Sequence, residues 1–465
     1  VNSNRVFRVS DLAYDVVEDC AEDGWATLAG KYPQYAARQL KRCFREIVAA
    51  RSRLGIFRCD RPCRMAFDGT LDPQFLLATH PHEQLILNIT ERCNLRCRYC
   101  TYSGLYAHHR RHGTQDMPRE IACQAIDRFL ANLGEEPCLS FYGGEPLLRL
   151  DLIQELVAYA EARAARPLHY AITTNGTLLD KAARDFLRAK AFGVLVSLDG
   201  PQEVHDRYRV DASGHGSFAR EVARLESFRA EDEVYYRQHV GFSVVSVPPS
   251  SLAAVDDFFH AHPVTRDCRV AFSFMAPGYG DKFEPPSVPV DHESPHQEAA
   301  LQRQFFDQVQ THARAGGLKR AMFERGFVRF FHRPKTPLGE ELPLNGCCIP
   351  GSRRLFVTAA GTLFACERVD ERYPLGTVDT WIAPLLLERL LSDYVIAGQD
   401  CFHCWACRLC TECFSTRRIG AATVADRQAD CEQTRDRLHR LLVDYYRVFE
   451  EQEDAWEYLQ EIEIS

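Results

Sequence analysis

The sequence predicts an α/β fold: a partial (β/α)6, TIM-like barrel, preceded by a small winged-helix-like module and followed by a cysteine-rich domain. Two observations carry the prediction. Short apolar runs alternate with stretches of helical periodicity, the pattern of parallel strands joined by crossover helices. The 19 cysteines fall mostly into two groups, a tight one at 93–100 and a long one at 347–431, which implies two separate centres. With 465 residues, 46% of them hydrophobic, the chain fills two or three cores and is neither disordered nor a disulfide-stapled miniature.

Residues 1–79 are expected to form the first unit, with a β-like piece at 6–9, a helix from Asp11 and a longer amphipathic helix at 35–53 closed by Gly55. They hold 12 Lys plus Arg against 10 Asp plus Glu, with Arg38, Lys41, Arg42, Arg45, Arg51, Arg53 and Arg58 on the long helix and its exit. Residues 80–280 form the barrel, with strands expected at 85–90, 139–142, 170–174, 194–198, 241–247 and 269–275. Between them, 119–133 places Ile121, Ala125, Phe129 and Leu133 on one helical face, and 152–163 does the same with Leu152, Leu156 and Tyr159. A proline-rich stretch at 277–295 breaks the periodicity, so 281–345 is a linker with a helical bridge near 297–315. Residues 346–435 are the cysteine-rich domain. A last helix over about 431–459 carries Leu438, Leu441, Leu442, Tyr445 and Phe449 on its stripe, and 436–465 ends in what reads as a solvated acidic tail.

The formal charge of −8 argues against a general nucleic-acid binder, and most of it is local: residues 444–465 hold eight acids and one Arg. No run of about 18 apolar residues occurs and the start lacks the charged-then-apolar order of an export signal, so a cytoplasmic protein without membrane segments is expected. In a reducing compartment so many cysteines point to metal or catalytic use rather than disulfides.

Cys93, Cys97 and Cys100 follow the first barrel strand directly, at the end of the barrel where such folds place their chemistry. Three thiolates leave one iron of a cubane open for another ligand; spacing alone favours iron–sulfur over zinc without excluding a zinc site completed by a His such as His108 or His109. The CxxxCxxC spacing with Tyr99 before the last Cys resembles the cluster loop of the radical SAM superfamily. Tyr142-Gly143-Gly144-Glu145-Pro146 at the end of the second strand resembles that superfamily's GGE motif, which holds the amino group of S-adenosylmethionine. Glycines let a backbone approach closely, and a carboxylate supplies a counter-charge for an ammonium. Thr174-Asn175 after the third strand and Ser197 and Asp199 after the fourth stand where related enzymes contact the cofactor's ribose and carboxylate. The resemblance covers about residues 80–280 and implies reductive cleavage of S-adenosylmethionine to a 5′-deoxyadenosyl radical that abstracts hydrogen from a substrate.

The second group, Cys348, Cys366, Cys401, Cys404, Cys410, Cys413 and Cys431, resembles the SPASM domain with its two auxiliary [4Fe-4S] clusters, three clusters in all. The interleaved family pattern implies Cys401, Cys404, Cys410 and Cys431 on one cluster and Cys348, Cys366 and Cys413 on the other. The spacing before the second-last Cys is one shorter than usual, and only Cys347 stands where the family has a further upstream ligand. Neighbouring residues rarely both reach one cubane, so the fourth position is expected to be open or filled by Cys347. An open iron binds a substrate thiolate and lowers its pKa. Cys407 fits neither set, and a zinc ribbon remains the alternative for the array.

In this setting residues 1–79 resemble, in order and size, a peptide-recognition element that takes a leader peptide as an added strand. The segments around Cys348, Cys366 and Cys404-Trp405 resemble SPASM maturases that form thioethers from peptide cysteines: ranthipeptide and sactipeptide synthases, and the maturase of quinohemoprotein amine dehydrogenase. The substrate implied is a Cys-containing peptide or small protein subunit, the electron source a flavodoxin or ferredoxin, and the candidate proton acceptors Asp199 and Glu367. Carbon–carbon crosslinking, formylglycine formation and a non-catalytic iron–sulfur scaffold are the competing readings.

Overall fold

The computed structural model describes residues 6–20, 25–57, 62–67, 69–106, 109–247, 251–275, 294–311, 316–336, 338–344, 348–416 and 424–462. Cys59, His108 and Cys347 lie outside them, as does most of the proline-rich stretch. Strand β1 is Arg64–Ala66 and β2 is His82–Thr90. They are followed by β3 Leu133–Gly143, β4 His169–Thr174, β5 Gly193–Ser197, β6 Val240–Ser246 and β7 Arg269–Phe274. The later strands are β8 Glu341–Pro343, β9 Leu355–Val357, β10 Thr362–Phe364, β11 Gly376–Thr377 and β12 Trp381–Ile382.

The six strands from β2 to β7 lie side by side in chain order and all run parallel. That order follows from the crossovers. Between β2 and β3 runs the helix Arg119–Leu130, which buries Ala122, Ala125, Ile126 and Phe129; Leu150–Glu161 likewise buries Leu152, Ile153, Leu156 and Val157 before β4. Each strand is returned to the same end of the sheet, so their carboxyl ends collect there. Strand β2 is a central strand with a parallel neighbour on each edge, and Leu85, Ile86, Leu87 and Ile89 are all enclosed, so both of its faces are covered by packed elements. On the side away from β3 it pairs in parallel with β9, Leu85 opposite Leu355 and Leu87 opposite Val357. Strands β10, β11 and β12 continue antiparallel beyond β9, so one ten-stranded sheet spans the barrel and the cysteine-rich part.

The amino-terminal unit differs from expectation. Residues 6–9 form no strand and stay exposed; Asp11–Val16, Trp25–Lys31 and Ala37–Leu54 are helices around Val16, Leu28, Leu40, Cys43 and Ile47. The small sheet is made elsewhere: β1 pairs in parallel with β8, some 270 residues on in the chain, Arg64 opposite Glu341. An isolated strand at 6–9 would have had no partner, and a strand needs one to satisfy its backbone.

The acidic tail is not solvated along its length. The last long helix runs Val424–Glu451, after which the chain turns back and buries Trp456 and Leu459 against Phe305, Phe327, Phe330 and Tyr445. The Trp456 ring stacks on Tyr445 at 5.1 Å and on Phe327 at 4.7 Å, and its Nε1 donates to the Tyr445 carbonyl at 3.0 Å. Glu453, Asp454, Glu457 and Glu461 are exposed while Trp456 and Leu459 hold the turn, and Asp444, within the long helix, is buried and accepts from Gln302 Nε2 at 3.0 Å. Among the described residues no helix is long and apolar enough to cross a membrane.

Trp456→Ala is expected to lower stability by about 3–5 kcal/mol, as a fully buried aromatic does, whereas Glu453→Gln at an exposed position stays within about 0.5 kcal/mol; urea unfolding followed by circular dichroism checks both.

Candidate active site at the carboxyl ends of the strands

The loop carrying Cys93, Cys97 and Cys100 leaves β2 and is fixed from two sides. Gly144 N–H donates to Thr90 O and Glu145 N–H to Arg92 O, both at 2.8 Å, which ties the end of β3 to the start of the loop. On the other side Arg96 N–H donates to Val210 O at 2.6 Å and Arg98 N–H to Tyr208 O at 2.9 Å. The glycines are required here by the loop itself. A Cβ on Gly143, whose φ is +153°, would lie 2.5 Å from Thr90 O, and one on Gly144 would lie 2.2 Å from Arg92 O.

Glu145, expected to hold an ammonium, is itself held. Its Oε1 accepts from Leu147 N–H at 3.0 Å and Thr174 Oγ1 at 2.8 Å, and its Oε2 from Asn175 N–H at 2.8 Å, which leaves Oε2 one acceptor direction. It caps the short helix that Pro146 opens. Burial pushes its carboxyl up to about 7 against those donors. Asn175 also reaches back to the cysteine loop, its Nδ2 donating to Asn94 Oδ1 at 2.9 Å and facing Cys93 Sγ at 3.9 Å. The first three motifs thus form one hydrogen-bonded unit. Ser197, the last residue of β5, is half-buried beside it.

Asp199 is tied down rather than poised. Tyr99 Oη donates to its Oδ2 at 2.5 Å, Arg209 Nε to the same oxygen at 2.9 Å and Val245 N–H to Oδ1 at 3.0 Å. The carboxylate is enclosed with these donors, so its surroundings make it an anchor for Tyr99 and Arg209 in place of the expected proton acceptor. Arg209 was not singled out by the sequence; its Nη1 faces Cys97 Sγ at 3.8 Å and its guanidinium lies 5.5 Å from the Tyr99 ring centre. Beneath it, His205 and Glu221 are fully buried, His205 Nε2 lying 2.8 Å from Ser217 Oγ and 3.4 Å from Glu221 Oε2. Burial pushes the Glu221 carboxyl well above the usual carboxylate range and the His205 imidazole well below its ordinary value. A polar run, His205-Asp-Arg-Tyr-Arg209, just after a strand-end turn was the available signal, but such a run is indistinguishable from a solvated helix until packing is known.

Burial raises the three thiols, Cys93 to about 11 and Cys100 to about 12, with Cys97 raised as well. Yet each sulfur meets N–H groups: Leu95 N–H at 3.4 Å from Cys93, Tyr102 N–H at 3.4 Å from Cys100, and Arg209 at Cys97. Neutral thiols have little use for such donors, whereas anionic sulfur bound to iron is stabilised by them, so the donor set fits an iron–sulfur cluster. A zinc ion would need its ligands around one point, and among the described residues no three of His, Cys, Asp and Glu converge in that way. His109 packs edge-on against Tyr106.

The second thiol group lies across the sheet extension. Cys366 follows β10, and Cys413 is close enough to both Cys348 and Cys366 to raise each, after burial, as a like charge does. Cys413 is thus placed near both Cys348 and Cys366. Cys401, Cys404 and Cys407 follow one another in tight turns, with burial and then Cys404 and Cys401 raising Cys407 to about 11. Cys407, left unassigned by spacing, is a buried thiol within that group. Cys431 stands one helical turn before Thr434, whose Oγ1 donates at 3.2 Å to Glu412, beside Cys410 and Cys413. Glu367 is pinned by Arg354 at 3.1 Å.

Residues 87–230 match the radical SAM superfamily, so the chain carries the domain that defines the radical SAM enzymes. The chain is similar to the cysteine-type anaerobic sulfatase-maturating enzyme of Clostridium novyi, 33% identical over 146 residues, 30% of this chain and 39% of that protein. It is also similar to the serine-type enzyme of Bacteroides thetaiotaomicron, 34% identical over 178 residues, 37% of this chain and 39% of that protein. These matches span about two-fifths of the relatives' length. Of solved structures, anSMEcpe with bound AdoMet superposes with a TM-score of 0.59 at 19% identity, covering 79% of this chain and 100% of that one, which shows a shared fold.

Glu145 supplies a pH test. Its carboxyl keeps a proton in the folded apoprotein up to about pH 7 that the unfolded chain releases above the ordinary 4.5. Stability is therefore lost as pH rises between these values, by up to about 3 kcal/mol, and Glu145→Gln is expected to remove that loss when urea midpoints near about pH 5 and about pH 7.5 are compared.

Proposed function

We propose that this protein is a radical SAM peptide maturase that forms thioether crosslinks between a cysteine sulfur and a carbon within a ribosomally made peptide or small protein subunit. The observation that carries the reading is the pairing of two thiol sites on one sheet: Cys93, Cys97 and Cys100 at the end of β2, and Cys348, Cys366 and Cys413 around β9 and β10, the strands next to β2. With S-adenosylmethionine and iron–sulfur clusters bound, such a site supplies a carbon-centred radical and a route for the electron that each crosslink releases.

The chain's own residues do the rest. Gly143, Gly144 and Glu145 hold the loop and present an acceptor to the cofactor's ammonium; Thr174, Asn175 and Ser197 line the adjoining strand ends, and Arg209 offers a buried cation for its carboxylate. At the second site three thiolates leave a place for a substrate thiolate, with Cys347 as the competing ligand. Cys401, Cys404, Cys410 and Cys431 hold the outer auxiliary cluster. The leader peptide is received by residues 1–79, with β1 and its parallel partner β8 as the template for an added strand and the exposed Arg38, Lys41 and Arg45 of the helix Ala37–Leu54 as charge for its side chains. The electron donor is an external flavodoxin or ferredoxin.

The second reading, oxidation of a Cys or Ser to formylglycine, is favoured by the sulfatase-maturating relatives at 33% and 34% identity. The intact mass of a candidate peptide co-expressed with the protein separates the two. Thioether formation removes about two mass units per crosslink and leaves a thiol that no longer alkylates, as hydrogen-atom chemistry requires; formylglycine formed from Cys loses the sulfur, and the same two-hydrogen loss with every thiol still alkylating means formylglycine from Ser when the product reacts with a hydrazide and carbon–carbon crosslinking when it does not.

Cys93→Ala is expected to abolish S-adenosylmethionine cleavage while leaving roughly two-thirds of the iron, as loss of one of three cubanes does. Cys366→Ala should retain cleavage and lose product. Equal loss of both activities in Cys366→Ala would refute this division of labour.

A further inference from the structure

Between the two thiol sites lies a buried cation that the proposed function has not used. After Cys100 the chain makes a flap that returns on itself, Ser103 bridging Arg111 and His112 N–H donating to Tyr102 O at 2.8 Å. From this flap Arg110 reaches onto the neighbouring strands. Its guanidinium carbon lies 4.5 Å from the ring centre of Phe356 on β9, 5.4 Å from that of Phe364 on β10 and 5.9 Å from that of Tyr102. Its Nη2 donates to the backbone carbonyl of Glu367, the residue after Cys366. The side chain is 9% exposed, and its Nε and Nη1 are buried without a hydrogen-bond partner among the described residues.

A buried guanidinium normally has a carboxylate opposite it, because an unpaired charge out of water is costly. Here the adjacent carboxylate does not serve: Glu367 Oε1 pairs with Arg354, while Oε2 is itself buried without a partner. Aromatic faces return part of the lost solvation but give N–H donors no acceptor. Tyr102 Oη, also buried without a hydrogen-bond partner among the described residues, is a neutral acceptor beside the guanidinium, so an anion is still missing from a side chain whose Nη2 is tied to the residue after Cys366. A thiolate-ligated iron–sulfur cluster is such an anion, and its sulfur atoms accept N–H hydrogen bonds that set its reduction potential.

We infer that Arg110 is a positioning residue for the auxiliary cluster held by Cys348, Cys366 and Cys413, fixing its counter-charge and raising its reduction potential. The inference rests on the proposed presence of that cluster. A cation beside it favours the reduced, more negative state, so removing the charge moves the potential down. The tie to Glu367 O also makes the flap after Cys100 part of that cluster's wall.

The test uses the full chain, reconstituted anaerobically with Cys93, Cys97 and Cys100 replaced by Ala, so that only the auxiliary clusters report in a redox titration followed by electron paramagnetic resonance. Arg110→Met is expected to shift one of the two potentials to more negative values and leave the other in place. Arg110→Lys, which keeps the charge, should shift it less than half as far, and in a Cys366→Ala background Arg110→Met should shift nothing. Should Arg110→Met fail to retain both clusters, Arg110→Gln carries the same expectation. No shift, a common shift of both clusters, or a Lys variant as displaced as the Met variant overturns the inference. Absence of iron from the parent protein overturns the cluster reading itself, a result distinct from clusters that are present and unmoved.

Discussion

Everything at the strand ends depends on how closely the backbone after β3 lies against the backbone after β2. Gly144 and Glu145 each donate an N–H to the loop leaving β2, at positions where a side chain on either glycine would meet a carbonyl oxygen. That contact decides where the first cysteine can stand. It also turns Glu145 toward β4, where Thr174 and Asn175 clasp it, so a third strand end is locked to the same loop. A chain segment with three thiols and no regular structure is thereby given one conformation by main-chain bonds, before any metal arrives.

The parallel strands were legible because burial leaves apolar residues at 85–87 and 194–196 and at all of 139–141 but Ser140, and because strand-end turns punctuate these runs. The short strands β9 to β12 were not read. Two or three residues such as Leu355–Val357 carry no periodicity, and only their pairing with β2 and with one another defines them. The sequence offered close approach to a ligand as the reason for the glycine pair, and the structure shows close approach to a neighbouring loop; the two look the same in a sequence.

Charged residues misled in the opposite direction. Arg209, Glu221 and Arg110 are polar letters in ordinary helical or loop surroundings, and nothing local distinguishes them from a solvated face, yet all three are buried. The acidic carboxyl-terminal segment was read by its charge, whereas its fold is set by Trp456 and Leu459, which lie three apart and so share one side of a short helical turn. At 6–9 alternation of apolar and polar residues suggested a strand, but a strand is a property of a pair. The pairing that exists instead joins residues 64–66 to 341–343, a separation no local pattern reports.

The parallel pairing of β9 with β2 has a kinetic meaning. Leu85 to Leu87 and Leu355 to Val357 are neighbours in one hydrogen-bonded sheet, so the segments bearing the two thiol sites are not free to approach and separate as hinged lobes. The tunnelling distance for an electron passing between groups held there is a constant of the scaffold. Under the proposed function no docking or closing motion would gate that transfer, which would leave substrate entry and product release as the slow conformational steps.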